Sequence, residues 1–303
     1  MPHTNPFRGT YTALVTPFFE DRLDLDSLNA LVEFQIEGGV DGLVAVGTTG
    51  ESPTLSNEEH IATVATVVSA ANQRVPVLAG TGSNSTTEAV ELTRLAEKAG
   101  ADGFLLVAPY YNKPSQEGLY RHFAAVAEST SLPILLYSIP SRCGVAIEAE
   151  TCARLFEKYP HVSAIKEAGG QSARVSTIRR LVGNDFSILS GDDGLTIPFL
   201  ALGATGLVSV ASNAYPNAVS QMVKLALDDD FTKARELHYL LAPVFEAIFL
   251  EPNPVPIKFL LHHLGRIASE EVRLPLSPAE EKIKERIVEV SETYLRQSAL
   301  LIS

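Results

Sequence analysis

Lys166 ends the apolar run Val162-Ser163-Ala164-Ile165 and is followed by Glu167. An amine at the end of a buried strand loses hydration, which disfavours the ammonium and brings its pKa down towards neutrality. A neutral amine attacks ketones and forms imines. A lone lysine at such a place can equally end the strand and reach out to water, so its companions decide. Tyr137 closes another apolar run, and a polarised phenol relays protons. Gly47-Thr48-Thr49-Gly50-Glu51 offers close backbone approach and two hydroxyls, groups that suit a carboxylate. Pro109-Tyr110-Tyr111-Asn112-Lys113-Pro114 places two aromatic hydroxyls side by side, and Arg142, five residues past Tyr137, is suited to bidentate binding of a carboxylate. Ser190-Gly191-Asp192-Asp193 carries two carboxylates. They read better as acidic residues complementing a helix N-terminus than as metal ligands, because no His, Cys or carboxylate cluster elsewhere completes a site. The expectation is therefore no metal.

Each of these motifs has to be held by something. Strand candidates are Tyr11–Thr16, Gly42–Val46, Val75–Ala79, Gly103–Val107, Ile134–Tyr137, Val162–Lys166, Ser187–Ser190 and Leu207–Val210. They are short, apolar on both faces and rich in Val, Ile and Leu, as strands covered on both sides are. Helical stretches with start and stop signals lie between them. Ser56 with Glu59 forms a capping-box pattern, and Glu37-Gly38-Gly39 and Lys98-Ala99-Gly100 carry glycine stops. Eight such units in roughly 210 residues predict a (β/α)8 barrel. An open doubly wound sheet is the rival, weakened because Thr16-Pro17-Phe18 follows the first strand instead of a glycine-rich phosphate turn. The chemistry-bearing motifs all fall at the carboxyl ends of strands, the face on which barrel enzymes build their sites. The remaining helices, Asn217–Leu227, Phe231–Phe249, Val255–Leu264 and Pro278–Leu300, exceed what closes a barrel. The division expected is a catalytic barrel over 1–227 and a C-terminal helical domain over 228–303.

The chain has 303 residues, 46% hydrophobic and 20% charged, with a formal net charge of −12. That balance suits a soluble globular protein and disfavours nucleic acid and anionic membranes as partners. No apolar run approaches the roughly 20 residues of a membrane span. Met1–Pro6 lacks the layout of a signal peptide, and Cys143 and Cys152 are the only cysteines, in no ligand spacing. A cytoplasmic location is the expectation.

Taken together, Gly47-Thr48-Thr49-Gly50-Glu51, Pro109-Tyr110-Tyr111-Asn112, Tyr137 with Pro140-Ser141-Arg142, Ile165-Lys166-Glu167 and Ser190-Gly191-Asp192-Asp193 closely resemble the dihydrodipicolinate synthase family of pyruvate-dependent class I aldolases. The resemblance runs through Glu251-Pro252-Asn253-Pro254 and Arg273-Leu274-Pro275. It implies condensation of pyruvate with L-aspartate-4-semialdehyde, on the route to diaminopimelate and lysine, through a Schiff base on Lys166 and without a cofactor. Tyr137 would move protons beside the imine, with Thr48 linking it to Tyr111 of a neighbouring subunit. Thr48 and Thr49 would hold the pyruvate carboxylate, Arg142 the semialdehyde carboxylate, and the backbones of Gly191 and Val208 would border the imine. The family implies a homotetramer, a dimer of tight dimers.

The resemblance also implies a regulatory lysine cleft at Ser52, His60, Asn84, Glu88 and Tyr110. Pro53 stands where alanine is common and Asn57 where histidine is common, so weak or absent lysine binding is expected, which a lysine titration of initial rates measures. Ser138 and Cys143 replace a frequent asparagine and threonine near Arg142. Sugar-acid aldolases of the same superfamily, such as N-acetylneuraminate lyase, are the nearest alternative and generally lack the arginine at position 142. A barrel that binds ligand without catalysis is an alternative of another class.

Overall fold

Strands that are apolar on both faces need cover on both faces, and a parallel barrel ringed by helices provides it. The computed structural model describes residues 7–302, so Met1–Pro6 and the first residues of the expected barrel domain lie outside it. Its strands are β1 Gly9–Ala13, β2 Phe18–Phe19, β3 Arg22–Leu23, β4 Gly42–Ala45, β5 Val77–Gly80, β6 Gly103–Val107, β7 Ile134–Ser138, β8 Val162–Glu167, β9 Ser187–Ser190 and β10 Gly206–Ser209. β2 and β3 form a small antiparallel hairpin. The other eight strands pair in parallel in the order β1-β10-β9-β8-β7-β6-β5-β4 and close into a barrel through β1 and β4.

The helices are α1 Leu25–Glu37, α2 Asn57–Ala71, α3 Thr86–Lys98, α4 Gln116–Ala127, α5 Pro140–Cys143, α6 Ala149–Lys158, α7 Ala173–Val182, α8 Thr196–Ala201, α9 Pro216–Leu227, α10 Phe231–Ala247, α11 Val255–His263 and α12 Glu281–Ile302. The capping box at Ser56 and Glu59 forms as its spacing predicts, with both reciprocal bonds present. α10 packs on α9 and α12, and α11 packs on α12. Among the described residues no helix is long and apolar enough to cross a membrane.

Two layers of core result. Tyr11, Val44, Leu78, Leu105, Leu135, Ala164, Leu189 and Val208 fill the barrel interior above Phe7. A larger layer packs strands against helices, with Phe104, Phe123, Phe186 and Phe199 fully buried. The sequence places the strands correctly to within a few residues. The first strand differs most: it is expected over Tyr11–Thr16 and runs from Gly9 to Ala13. Beyond Ala13 side chains take over from the ladder. Val15 N–H donates to Asn213 Oδ1 at 3.2 Å, and Thr16 Oγ1 donates to the Gly50 carbonyl at 2.7 Å.

The register sets the level of the site. Val107 stands beside Tyr137, and Tyr137 beside Lys166. Lys166 in turn stands beside Leu189. Residues paired in register on parallel strands point to the same side, so Tyr137 and Lys166 share the interior with Ala164 and Leu189 one layer around or below.

Candidate active site

Lys166 is 4% exposed, and its Nζ lies 4.2 Å from the centroid of the Tyr137 ring. Burial lowers its pKa to about 8, with Asp193 pulling the other way and Arg142 reinforcing the drop. Roughly a tenth of the amine is thus neutral at pH 7, far more than for an ordinary lysine. Tyr137 is also buried, and desolvation pushes its phenol up to about 12, an effect opposed by a hydrogen bond with the Thr48 side chain and by Arg142. The pair therefore sets an amine that sheds its proton easily against a phenol that keeps its own. Gly191 makes the room: a Cβ there would stand 3.0 Å from Lys166 Cε and 2.7 Å from the Ala168 Cβ. Val208 is buried on β10 within the barrel interior.

A cavity of about 310 Å³ opens beside this pair, and Lys166 stands next to it rather than on its wall. Thr48, Tyr137, Arg142, Cys143 and Asn253 are among its lining residues. Arg142 lies on α5 at the exposed rim, where Nη2 donates to the Asn253 carbonyl at 3.2 Å. Thr49 is buried, and its Oγ1 accepts from Asn253 Nδ2 at 3.0 Å. Cys143 is a free, buried thiol that burial raises to about 11, which leaves it unreactive.

The aspartates at the end of β9 correct the sequence reading in part. Asp192 does serve the turn into α8, accepting from Gly194 N at 2.9 Å and Leu195 N at 3.2 Å. Asp193 serves a different start from the one it precedes: its Oδ2 accepts from Val210 N and Ala211 N, which open the short 3-10 turn Ala211–Asn213 after β10. It is buried, accepts from Ser209 Oγ at 2.5 Å and from Val210 N at 3.0 Å, and so joins β9 to the end of β10. Desolvation raises its carboxyl to about 6. Among the described residues no three His, Cys, Asp or Glu side chains converge as metal ligands would.

Three charged contacts that the motifs did not reveal hold this constellation. Glu51, at φ +55°, ends the Gly47–Glu51 turn, and its carboxylate meets Lys258 Nζ at 2.7 Å with both side chains buried. Arg273 N donates to the other Glu51 oxygen at 3.0 Å, while its guanidinium grips Glu59. Glu167, adjacent to Lys166, takes Arg174 Nε at 2.8 Å and Gly169 N at 2.7 Å, fixing the end of β8. Glu51 and Arg273 lie inside recognised motifs, but Lys258 is separated from Glu51 by 207 residues.

Tyr111 is not brought to this cavity. It is 90% exposed at φ +72°, in a turn where Asn112 Nδ2 donates to the Asn84 carbonyl at 2.8 Å. The remaining five residues singled out gather on one side. Ser52 and Tyr110 also line the same cavity. Tyr110 is half-buried, its phenol raised by desolvation and by Glu88 and engaged by Ser83. Ser83 also donates to the Glu88 carboxylate. His60 is buried, and desolvation lowers it to about 4 against the opposing field of Glu88. Asn57 and Pro53 are both exposed.

The sequence profile described as the dihydrodipicolinate synthetase family matches residues 6–293. The chain is 50% identical over 295 residues to the 4-hydroxy-tetrahydrodipicolinate synthase of Sulfurihydrogenibium sp. (strain YO3AOP1), covering 97% of this chain and 99% of that protein. The structure of the 4-hydroxy-tetrahydrodipicolinate synthase from the methanotroph Methylacidiphilum fumariolicum SolV superposes with a TM-score of 0.95 at 52% identity, covering 97% of each chain. The enzyme from Cyanidioschyzon merolae, solved with lysine bound, superposes with a TM-score of 0.93 at 39% identity, covering 96% of this chain and 99% of that one. With a buried lysine and tyrosine paired at the carboxyl end of the barrel, and with likeness along almost its whole length, this chain belongs to the dihydrodipicolinate synthetase family.

Proposed function

We propose that this chain is a 4-hydroxy-tetrahydrodipicolinate synthase, a lyase of the class I aldolase type that condenses pyruvate with L-aspartate-4-semialdehyde. The observation that carries the reading is the buried Lys166 amine beside Tyr137. Neutral Lys166 adds to the pyruvate ketone and water leaves, giving an iminium. The iminium acts as the electron sink, so no cofactor is needed to release a methyl proton and form the enamine. The enamine carbon attacks the aldehyde, whose oxygen takes up a proton and becomes a hydroxyl. The substrate amine then attacks the iminium carbon, displaces Lys166 and closes the ring. Tyr137 donates and recovers the protons, with Thr48 and the Tyr111 of a second copy completing the relay. Thr48 and Thr49 hold the pyruvate carboxylate, Gly191 and Val208 border the imine, and Arg142 holds the semialdehyde carboxylate. Arg142 favours this substrate over the polyhydroxylated chains of sugar-acid aldolases.

The exposure of Tyr111 supports a site completed across an interface, hence at least a dimer and, by family likeness, a homotetramer. The catalytic barrel spans 1–227 and the helical part 228–303, and the enzyme works in the cytoplasm. Ser52, His60, Asn84, Glu88 and Tyr110 are assigned as a regulatory lysine cleft of low affinity, since Asn57 supplies no imidazole and Pro53 no N–H. The test is borohydride reduction with pyruvate followed by peptide mass mapping. The expected result is one reduced pyruvate adduct on Lys166, together with turnover of the semialdehyde in a coupled assay. An adduct on another lysine, or none, removes the reading.

A further inference from the structure

We propose that Asn253, a residue of the C-terminal segment, is a positioning residue that orients the Thr49 hydroxyl towards the pyruvate carboxylate, a role that rests on the pyruvate-imine reading above. Asn253 is 6% exposed and lines the cavity between the barrel mouth and the loop that precedes α11. Its Nδ2 donates to Thr49 Oγ1 at 3.0 Å in a fully buried contact. A hydroxyl that accepts a hydrogen bond in this way keeps its own hydrogen for another acceptor. Thr49 is buried next to the cavity-lining Thr48, and in the proposal the substrate carboxylate is the acceptor to which that hydrogen is directed. Were the bond reversed, Thr49 would spend its hydrogen on the amide and turn a lone pair towards the anion.

Two further contacts define the role. Asn253 Oδ1 is buried with no donor among the described residues, so no protein group competes with Thr49 by holding the amide through its oxygen. The Asn253 backbone carbonyl accepts from Arg142 Nη2 at 3.2 Å. One residue thus touches both carboxylate-binding groups, through its side chain at Thr49 and through its backbone at Arg142. Replacing the side chain leaves the Arg142 contact in place, which separates the two substrates kinetically.

Asn253→Ala is expected to raise the pyruvate KM about tenfold while the semialdehyde KM and kcat stay within about twofold. Asn253→Asp keeps the size but only accepts, so it draws the Thr49 hydrogen away and adds a charge near the anion. Its pyruvate KM is expected to rise about one hundredfold. In a Thr49→Val background Asn253→Ala should add no further loss, because the residue acts through that hydroxyl. An unchanged pyruvate KM in Asn253→Ala, wild-type behaviour of Asn253→Asp, or losses that add in the double variant would each overturn the proposal. If Asn253→Ala is too unstable to assay, the isosteric Asn253→Asp decides alone. Borohydride trapping on the unmodified enzyme is run alongside: absence of its pyruvate adduct sinks the underlying reading, whereas an adduct with unmoved KM values sinks only the part given to Asn253.

Discussion

Lys166 and Lys258 are both buried, at 4% and 0% exposure, and both hold Nζ 4.2 Å from an aromatic centroid, Tyr137 for one and Phe18 for the other. Desolvation lowers the pKa of each. What separates them is a carboxylate. Lys258 has Glu51 at 2.7 Å, and that pairing opposes the burial penalty and favours the ammonium. Lys166 takes part in no ion pair among the described residues, and the nearby Asp193 is itself engaged by Ser209 and Val210. Burial and an aromatic neighbour therefore do not make a nucleophile; leaving the charge without a close partner does. One lysine is an anchor and the other a reagent, the first on α11 of the C-terminal helices and the second on a barrel strand.

Breaking the anchor should have the largest effect. Lys258→Met leaves the Glu51 carboxylate buried without its cation, which typically costs about 3–5 kcal/mol. Thermal unfolding should show a large fall in Tm, partly restored by adding Glu51→Gln. A Tm that stays put would mean the pair is not an anchor and would erase the contrast. Changing the reagent should go the other way. With a folded pKa of about 8 against an ordinary 10.5, Lys166 binds its proton less tightly folded than unfolded. The unfolded chain therefore holds more protons between those values, and stability rises with pH across that window. Below pH 8 the full penalty applies, so Lys166→Met should stabilise the protein by about 3 kcal/mol at pH 7 while abolishing turnover. The gain should shrink as pH rises towards 10.5. A destabilised Lys166→Met at pH 7 would show that the lysine is held like Lys258. The smallest effect is on rate: kcat/KM for pyruvate should rise up to about tenfold per pH unit below pH 8 and level off above it. A profile flat from pH 6 to 8 would be at odds with a free amine set by burial.

Much of this was legible in the sequence because it is local. Val162–Lys166 announces both its strand and its terminal amine, and the periodic alternation with capped helices gives the barrel. Tyr137 and Lys166 fall at the same level because each closes a neighbouring apolar run. The anchors were not legible, because their partners are remote: Asn253 meets Thr49 across 204 residues, and Lys258 meets Glu51 across 207. A lysine within Val255-Pro256-Ile257-Lys258-Phe259-Leu260-Leu261 is the one signal that pointed to the second pair, a charge inside an apolar helix. Asp193 misled because two adjacent aspartates after a strand look alike in sequence, whereas Asp192 caps the turn that follows it and Asp193 caps the remote turn that follows β10. The two-residue strands of the β2–β3 hairpin are too short to carry a period.

The turn at Tyr111 has a consequence for concentration. Its left-handed backbone costs about 1–3 kcal/mol for a non-glycine residue, and Asn112 already holds that turn to Asn84 within a single chain. A neighbour that receives the ring meets a backbone shaped beforehand, so little main-chain freedom remains to be lost on docking. If the site is shared as proposed, the number of complete sites follows mass action. Activity per chain then falls on dilution even though every barrel remains folded, and the enzyme's own abundance becomes one of its controls.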